Sequence, residues 1–272
     1  MTPPRVIDSL AAAVDAVLDA IPGDIVLGIP LAIGKPNPFV NALYRRIKAN
    51  PARRLTIVTA LSLEKPVGKS DLERHFLEPL VERVFGDYPD LDYVKDLRGP
   101  GLPANIAVHE FFMKTGDYLH NTVAQQAHIS TNYTFVARDM LVQGMNVIAQ
   151  AVAARGEGDA WRLSVSSNPD VVFEVVEKYA AAGMPLLKVG VANHQMPFMP
   201  NGAEVAPGFF DIVVTDPAAT CLAVLGFPDI YAAGEEYLLH FDGHAWRIED
   251  RFHGESILDL HCAADGRLHV VG

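Results

Sequence analysis

Between residues 24 and 217, short β-branched, apolar runs alternate with stretches of helical periodicity, and this constrains the fold most. DIVLGI (24–29), RLTIVTAL (54–61), LDYVKDL (91–97) and NIAVHEFF (105–112) read as strands, followed by MNVIAQAVA (145–153), WRLSVSS (161–167), PLLKVGVA (185–192) and FDIVVTD (210–216). Helices are predicted over 6–20, 38–48, 70–84, 117–127, 134–143 and 169–182. The first carries Val6, Leu10, Ala13, Val14, Val17 and Leu18 at helical spacing and stops at Pro22-Gly23. Ser70 and Glu73 form a capping-box signature, and Pro79 is expected to bend the helix that they open. Strands that alternate with helices, and that are themselves apolar throughout, predict an open α/β domain with a mostly parallel sheet over 1–217.

From 218 to 272 the pattern changes. YLLHFDGHAWRIED (237–250) and LDLHCAADGRLHVVG (258–272) each read as strand, Asp-Gly turn, strand, so a tail of antiparallel β-hairpins is expected. His240, His244, His253, His261 and His269 fall at strand spacing in this tail. They read as hairpin surface residues, with a metal site as the weaker alternative.

The formal net charge of −11 argues against nucleic acid or an anionic membrane as the main partner. A small anionic ligand needs only a local positive patch and stays compatible with it. Cys221 and Cys262 have no metal-like or redox spacing, which fits a reducing compartment. Asp8, Asp15 and Asp19 interrupt the apolar stretches of the first helix, so no signal peptide or membrane span is expected there, and the cytoplasm is the expected compartment.

Three loops bear polar groups at strand-to-helix junctions, where open α/β sheets receive ligands. In GIPLAIGKPNPF (28–39), Gly28 and Gly34 permit close approach, Pro30 and Pro36 stiffen the turn, and Lys35 and Asn37 could meet an anion at a helix start. The ordinary reading is a capped turn with an exposed lysine, because neither G-x-G-x-x-G nor a P-loop is present. In HISTNYTFVARD (128–139), Thr131 or Asn132 reads first as a helix cap, and in SSNPD (166–170) Asn168 does so with Pro169 at the first helical position. Glu64 and Glu110 are the carboxylates nearest strand ends; a nucleophilic role is chemically open to them, and a solvated or ion-paired role is the ordinary one. There is no G-x-S-x-G elbow and no H-E-x-x-H.

Taken in order, GIPLAIGKPNPFVNALYRR, LTIVTALSLEKP, FGDYPDLDYVKDLR, STNYTFVARDML, SSNPDV and NHQMPFMPNGAEV with FFDIVVTDP resemble the acetyl-CoA hydrolase/transferase family of the class I CoA-transferase superfamily. The resemblance runs over residues 10–217. It implies an open α/β/α domain and a chemistry in which a glutamate attacks an acyl-CoA thioester, with coenzyme A as part of the substrate and no separate cofactor. By the same resemblance, Gly28, Pro30, Gly34, Lys35, Pro36 and Asn37 match the family's first Gly/Pro loop, and Asn132 and Tyr133 its polar loop. Asn168, Pro169 and Asp170 match the later loop, and Asn193 and Pro197 the N-x-x-x-P segment. These positions would line the acyl or carboxylate side of a cleft, with Lys35 as electrostatic partner and Asn132 and Asn168 as donors.

In the family a second α/β domain follows and carries the catalytic glutamate. After residue 217 the likeness ceases, and no counterpart of that glutamate is found. Two expectations stand side by side. One is an acyl-CoA hydrolase or CoA-transferase polypeptide that acts on acyl-CoA and a small carboxylate together with a second-domain subunit, or as an oligomer. The other is a non-catalytic α/β ligand-binding or remnant protein.

Overall fold

The structure, a computed structural model, describes residues 3–156, 160–169 and 171–220, together with five strands between residues 230 and 271. The chain divides into two compact units, Met1–Ala223 and Val224–Gly272.

The first unit is built on a parallel sheet. Its strands are β1 (Arg5–Ile7), β2 (Ile25–Gly28), β3 (Leu55–Thr59), β4 (Ile106–Glu110), β5 (Val147–Arg155), β6 (Arg162–Ser164), β7 (Leu187–Ala192), β8 (Glu204–Val205) and β9 (Ile212–Val214). The spatial order is β1-β9-β7-β5-β2-β3-β4, all parallel, and β6 and β8 add antiparallel pairs beyond the end of β5. From β2 the chain steps outward to β3 and β4, then returns to the other flank of β2 as β5 and continues to β7 and β9. The boundary between β2 and β5 is therefore a topological switch point, where connections leave in opposite directions and open a crevice at the carboxyl ends. Asn146 fixes that boundary: its Oδ1 accepts from Val26 N at 2.9 Å and its Nδ2 donates to Asp24 O at 2.9 Å.

Alternation along the strands supplies a separate core to each face. Ile25, Leu27, Ile57, Val147, Ala149, Val189 and Val191 pack beneath α1 (Leu10–Ala20), α2 (Asn37–Lys48) and α4 (Asp92–Arg98). On the opposite face Val58, Ile148, Val152 and Val213 meet α6 (Val136–Val142) and α7 (Val172–Ala181). The result is an open α/β/α sandwich, the class expected from the sequence. Two further helices, α3 (Asp71–Phe85) and α5 (Thr122–Gln126), complete the unit. Helix α3 has the expected capping box, with Glu73 N donating to Ser70 Oγ at 3.2 Å and Ser70 N to Glu73 Oε2 at 3.2 Å, and it runs through Pro79. No described helix is long and apolar enough to cross a membrane.

Several elements differ from expectation. LDYVKDL, read as a strand, is helix α4: Tyr93, Val94 and Leu97 are buried on one helical face. Its start is organised from outside, since Asn41 of α2 accepts from Asp92 N and donates to Asp90 O, at 2.9 and 2.8 Å. Val6, read into the first helix, lies in edge strand β1, and Ser9 caps α1 by accepting from Ala12 N. The helix read at 117–127 is confined to Thr122–Gln126, where Asn121 Oδ1 accepts from Ala124 N at 2.9 Å. WRLSVSS contributes only Arg162–Ser164.

In the second unit, β10 (Ile230–Ala233), β11 (Tyr237–Phe241) and β12 (Trp246–Arg251) form an antiparallel sheet, and β13 (Asp259–Cys262) pairs antiparallel with β14 (Leu268–Val271). His240, His261 and His269 fall within β11, β13 and β14, while the expected Asp-Gly turns, His244 and His253 lie outside the described residues.

Leu27 is fully buried in central strand β2. Leu27→Ala is expected to lower unfolding free energy by about 3 kcal/mol through lost burial and a residual cavity. Urea denaturation measures the loss.

Candidate functional site

The loop after β2 is drawn over the top of the sheet by hydrogen bonds to its neighbours. Ile29 N donates to Val58 O at 3.1 Å, and Thr59 Oγ1 donates back to Ile29 O at 3.1 Å. Ala32 N then donates to Leu61 O at 3.2 Å, and Leu61 N to Phe112 O at 2.8 Å, so the loops after β2, β3 and β4 form one laced layer. Two non-glycine residues of the layer take left-handed backbone conformations, Ala32 at φ 49° and Leu61 at φ 40°. Each costs about 1–2 kcal/mol, so surrounding contacts must hold them.

Lys35 supplies that hold. Its side chain is 2% exposed, and its Nζ donates to Ala60 O at 2.5 Å and Leu61 O at 3.0 Å. Both the exposed lysine of a capped turn and the point charge awaiting an anion are therefore replaced by a buried ammonium that clasps two loops. Burial pushes the Lys35 pKa down to about 7, opposed by the Glu110 carboxylate. Glu110, at the end of β4, is itself pushed up by burial, and hydrogen bonds from Ser62 and the charge of Lys35 oppose that rise. Ser62 donates to Glu110 Oε1 from both its N and its Oγ, and its Oγ lies 2.7 Å from Tyr93 Oη. Burial and the Glu110 charge push the Tyr93 phenol well above its usual range. Glu64 is a surface ion pair, held bidentately by Arg98 at 2.5 and 2.6 Å.

Beside this layer, at the switch point, lies a narrow slot of about 40 Å³. Its floor is the end of β2 at Gly28 with Ile148 and Gln150 of β5, and α6 and α7 wall it with Met140, Val172 and Val175. Gly28, Pro30, Tyr133 and Asn168, expected at the site from three separate segments, all line it. Tyr133 is 44% exposed and meets Phe111 edge-on, with ring centroids 6.1 Å apart. Asn168 is buried, accepts from Ser167 Oγ at 3.0 Å and donates to Leu31 O at 3.4 Å.

The other expected residues have different surroundings. Asn37 is buried and donates to Pro89 O at 2.8 Å, tying α2 to a neighbouring loop. Asn132 is exposed and precedes the turn Tyr133–Phe135 without a side-chain cap bond. Asn193 is buried past the end of β7 and accepts from Gln195 N at 3.0 Å, and Pro197 O accepts from Ser166 Oγ at 2.8 Å. Pro36 precedes α2 directly. Helix α7 begins at Val172, so Asn168 and Pro169 do not cap it, and Asp170 lies outside the described residues. Gly28 and Gly34 are packing positions: an added Cβ would fall 2.0 Å from Met145 Sδ and 2.2 Å from Asn168 Oδ1 respectively.

Sequence reasoning missed Gln150, Phe111, Met140 and Met145. Gln150 had a signal, an amide in the middle of the apolar run MNVIAQAVA. It is buried and donates to Val165 O at 3.2 Å and Asn168 O at 2.9 Å. Among the described residues, no group of three or more His, Cys, Asp and Glu side chains could hold a metal ion.

The fold is similar to that of RipA from Yersinia pestis, at 12% identity and TM-score 0.49, over 78% of this chain and 42% of RipA. A 4-hydroxybutyrate CoA-transferase from Porphyromonas gingivalis is similar at 15% identity and TM-score 0.42, over 77% of this chain and 38% of that one. The chain thus spans about two fifths of the length of these solved structures. Similarity at this level assigns no activity. No family model matches the sequence, and no curated protein matches it.

Two outcomes follow from the packing. Gly34→Ala drives a methyl into Asn168 and is expected to cost about 1–3 kcal/mol, read by thermal or urea unfolding. For Lys35, the unfolded chain keeps its proton up to the ordinary lysine value, while the folded chain releases it from about 7. The unfolded state then binds more protons across that window, so stability rises with pH there. Wild type should gain on Lys35→Met between pH 7 and pH 10 in urea unfolding; a pH-independent difference would mean that the ammonium is not desolvated.

Proposed function

We propose that this chain is one half of an acyl-CoA hydrolase or CoA-transferase and provides a wall of the acyl-CoA cleft, the nucleophilic carboxylate coming from a second α/β domain. The observation that carries the reading is convergence. Gly28, Pro30, Tyr133 and Asn168 belong to segments far apart in sequence that resemble the acetyl-CoA hydrolase/transferase family in order, and they surround one slot at the sheet's switch point.

What these residues can do follows from their surroundings. The Gly28–Leu31 segment forms a stiff rim, kept in place by Thr59 and by the laced loops. Tyr133 is half open at the mouth and can cover a bound group, limiting water access to a reactive thioester. The carboxylates near the strand ends are engaged, Glu64 by Arg98 and Glu110 by Ser62. Neither lines the slot. This favours a nucleophile from outside the described residues, and it equally supports a binding protein without turnover as the second reading.

A CoA-exchange and thioester-hydrolysis assay separates the two. The purified chain is expected to show no turnover alone and to gain activity when co-expressed with the second α/β domain of a CoA-transferase of this family. No gain with that partner leaves the non-catalytic reading, and turnover by the chain alone overturns the claim of an external nucleophile.

A further inference from the structure

The slot's chemistry is more selective than its position. Among the described residues, its lining is aliphatic, aromatic and thioether apart from two amides, and Tyr133 is the sole ionisable side chain. The two buried amides of the lining carry no charge and are already engaged, Gln150 with the carbonyls of Val165 and Asn168, Asn168 with that of Leu31. Lys35, further along the loop after β2, is turned toward the carbonyls of Ala60 and Leu61 and does not line the slot. A carboxylate pushed inside would lose its hydration without gaining a cation. The dimensions are restrictive too: about 40 Å³ is a few times the ~10–15 Å³ that one ordered water needs, enough for a short chain and too little for a ring system. Met140 and Met145, both buried, are flexible thioethers that can adjust around an alkyl chain.

We propose that this slot is the subsite for the acyl chain, and that it takes short, unbranched, uncharged acyl groups and rejects those ending in a second carboxylate. The inference rests on the acyl-CoA reading above for the word acyl. The preference for an uncharged chain rests on the lining alone. It makes the slot, rather than any charged residue, the determinant of substrate class. Butyryl and succinyl groups, equal in carbon number, should be separated by the terminal charge.

The test uses the full chain with 13C-methyl methionine and follows the methyl resonances during titration with butyrate and, separately, succinate. Butyrate is expected to shift Met140 and Met145 and to leave Met199, which does not line the slot, unmoved. Succinate should require at least about a hundredfold higher concentration for the same shifts. Val171 is half-buried at the start of α7 and lines the slot, so Val171→Phe should abolish the butyrate shifts while Val171→Ala keeps them. If Val171→Phe fails to fold, the wild-type titration decides alone. Succinate acting as readily as butyrate, or no response of Met140 and Met145 to butyrate, overturns the proposal. The exchange assay reports separately on the acyl-CoA reading. Butyrate binding without reconstituted exchange upholds the slot's preference and removes that reading; exchange without a methyl response upholds the reading and removes the slot.

Discussion

One buried ammonium group organises the carboxyl edge of the sheet. Lys35 reaches from the loop after β2 to two carbonyls of the loop after β3, in surroundings that exclude water. An isolated cation there would be strongly unfavourable. It is tolerated because carbonyl dipoles point at it and the Glu110 carboxylate at the end of β4 acts on it. Glu110 in turn is fixed by Ser62, and Ser62 by Tyr93 of α4. Electrostatics of this kind resists rearrangement, since moving one member strands another in a low-dielectric interior. The left-handed residues Ala32 and Leu61 sit within this arrangement.

The slot follows from that rigid rim together with the strand order. Where β2 and β5 adjoin, connections diverge to opposite faces, and the space between them must be closed by side chains or left open. Methionines, valines and one tyrosine close it only partly. The polar network and the apolar slot are neighbours with separate tasks: the first holds the rim, and the second offers an uncharged surface.

Much of the architecture was legible in the sequence because it rests on local periodicity. Strands β2, β3, β5, β7 and β9 are apolar runs, and α1, α2, α6 and α7 carry helical stripes. What was not legible depends on partners distant in sequence. LDYVKDL has apolar residues compatible with a strand, and Asn41 of α2 decides the matter by holding Asp90 and Asp92 at the helix start. Lys35 has no local mark that separates a buried lysine from an exposed one; Ala60, Leu61 and Glu110 determine its burial. The candidate site was legible as a set of loops and illegible as a cavity. Gly28, Pro30, Tyr133 and Asn168 were identified, whereas the methionines and valines of its walls look like any other core residues in the sequence.

The two loop glycines carry a consequence for how such a sequence can drift. Gly28 leaves room for the sulfur of Met145, and Gly34 for the amide of Asn168. Each glycine is thus half of a pair, and its freedom to change is conditional on the other member. A larger residue at 28 becomes admissible only after 145 has shrunk, and one at 34 only after 168 has. The order of substitutions, and not merely their identity, governs which neighbouring sequences remain folded, so divergence around this slot is channelled into paired steps.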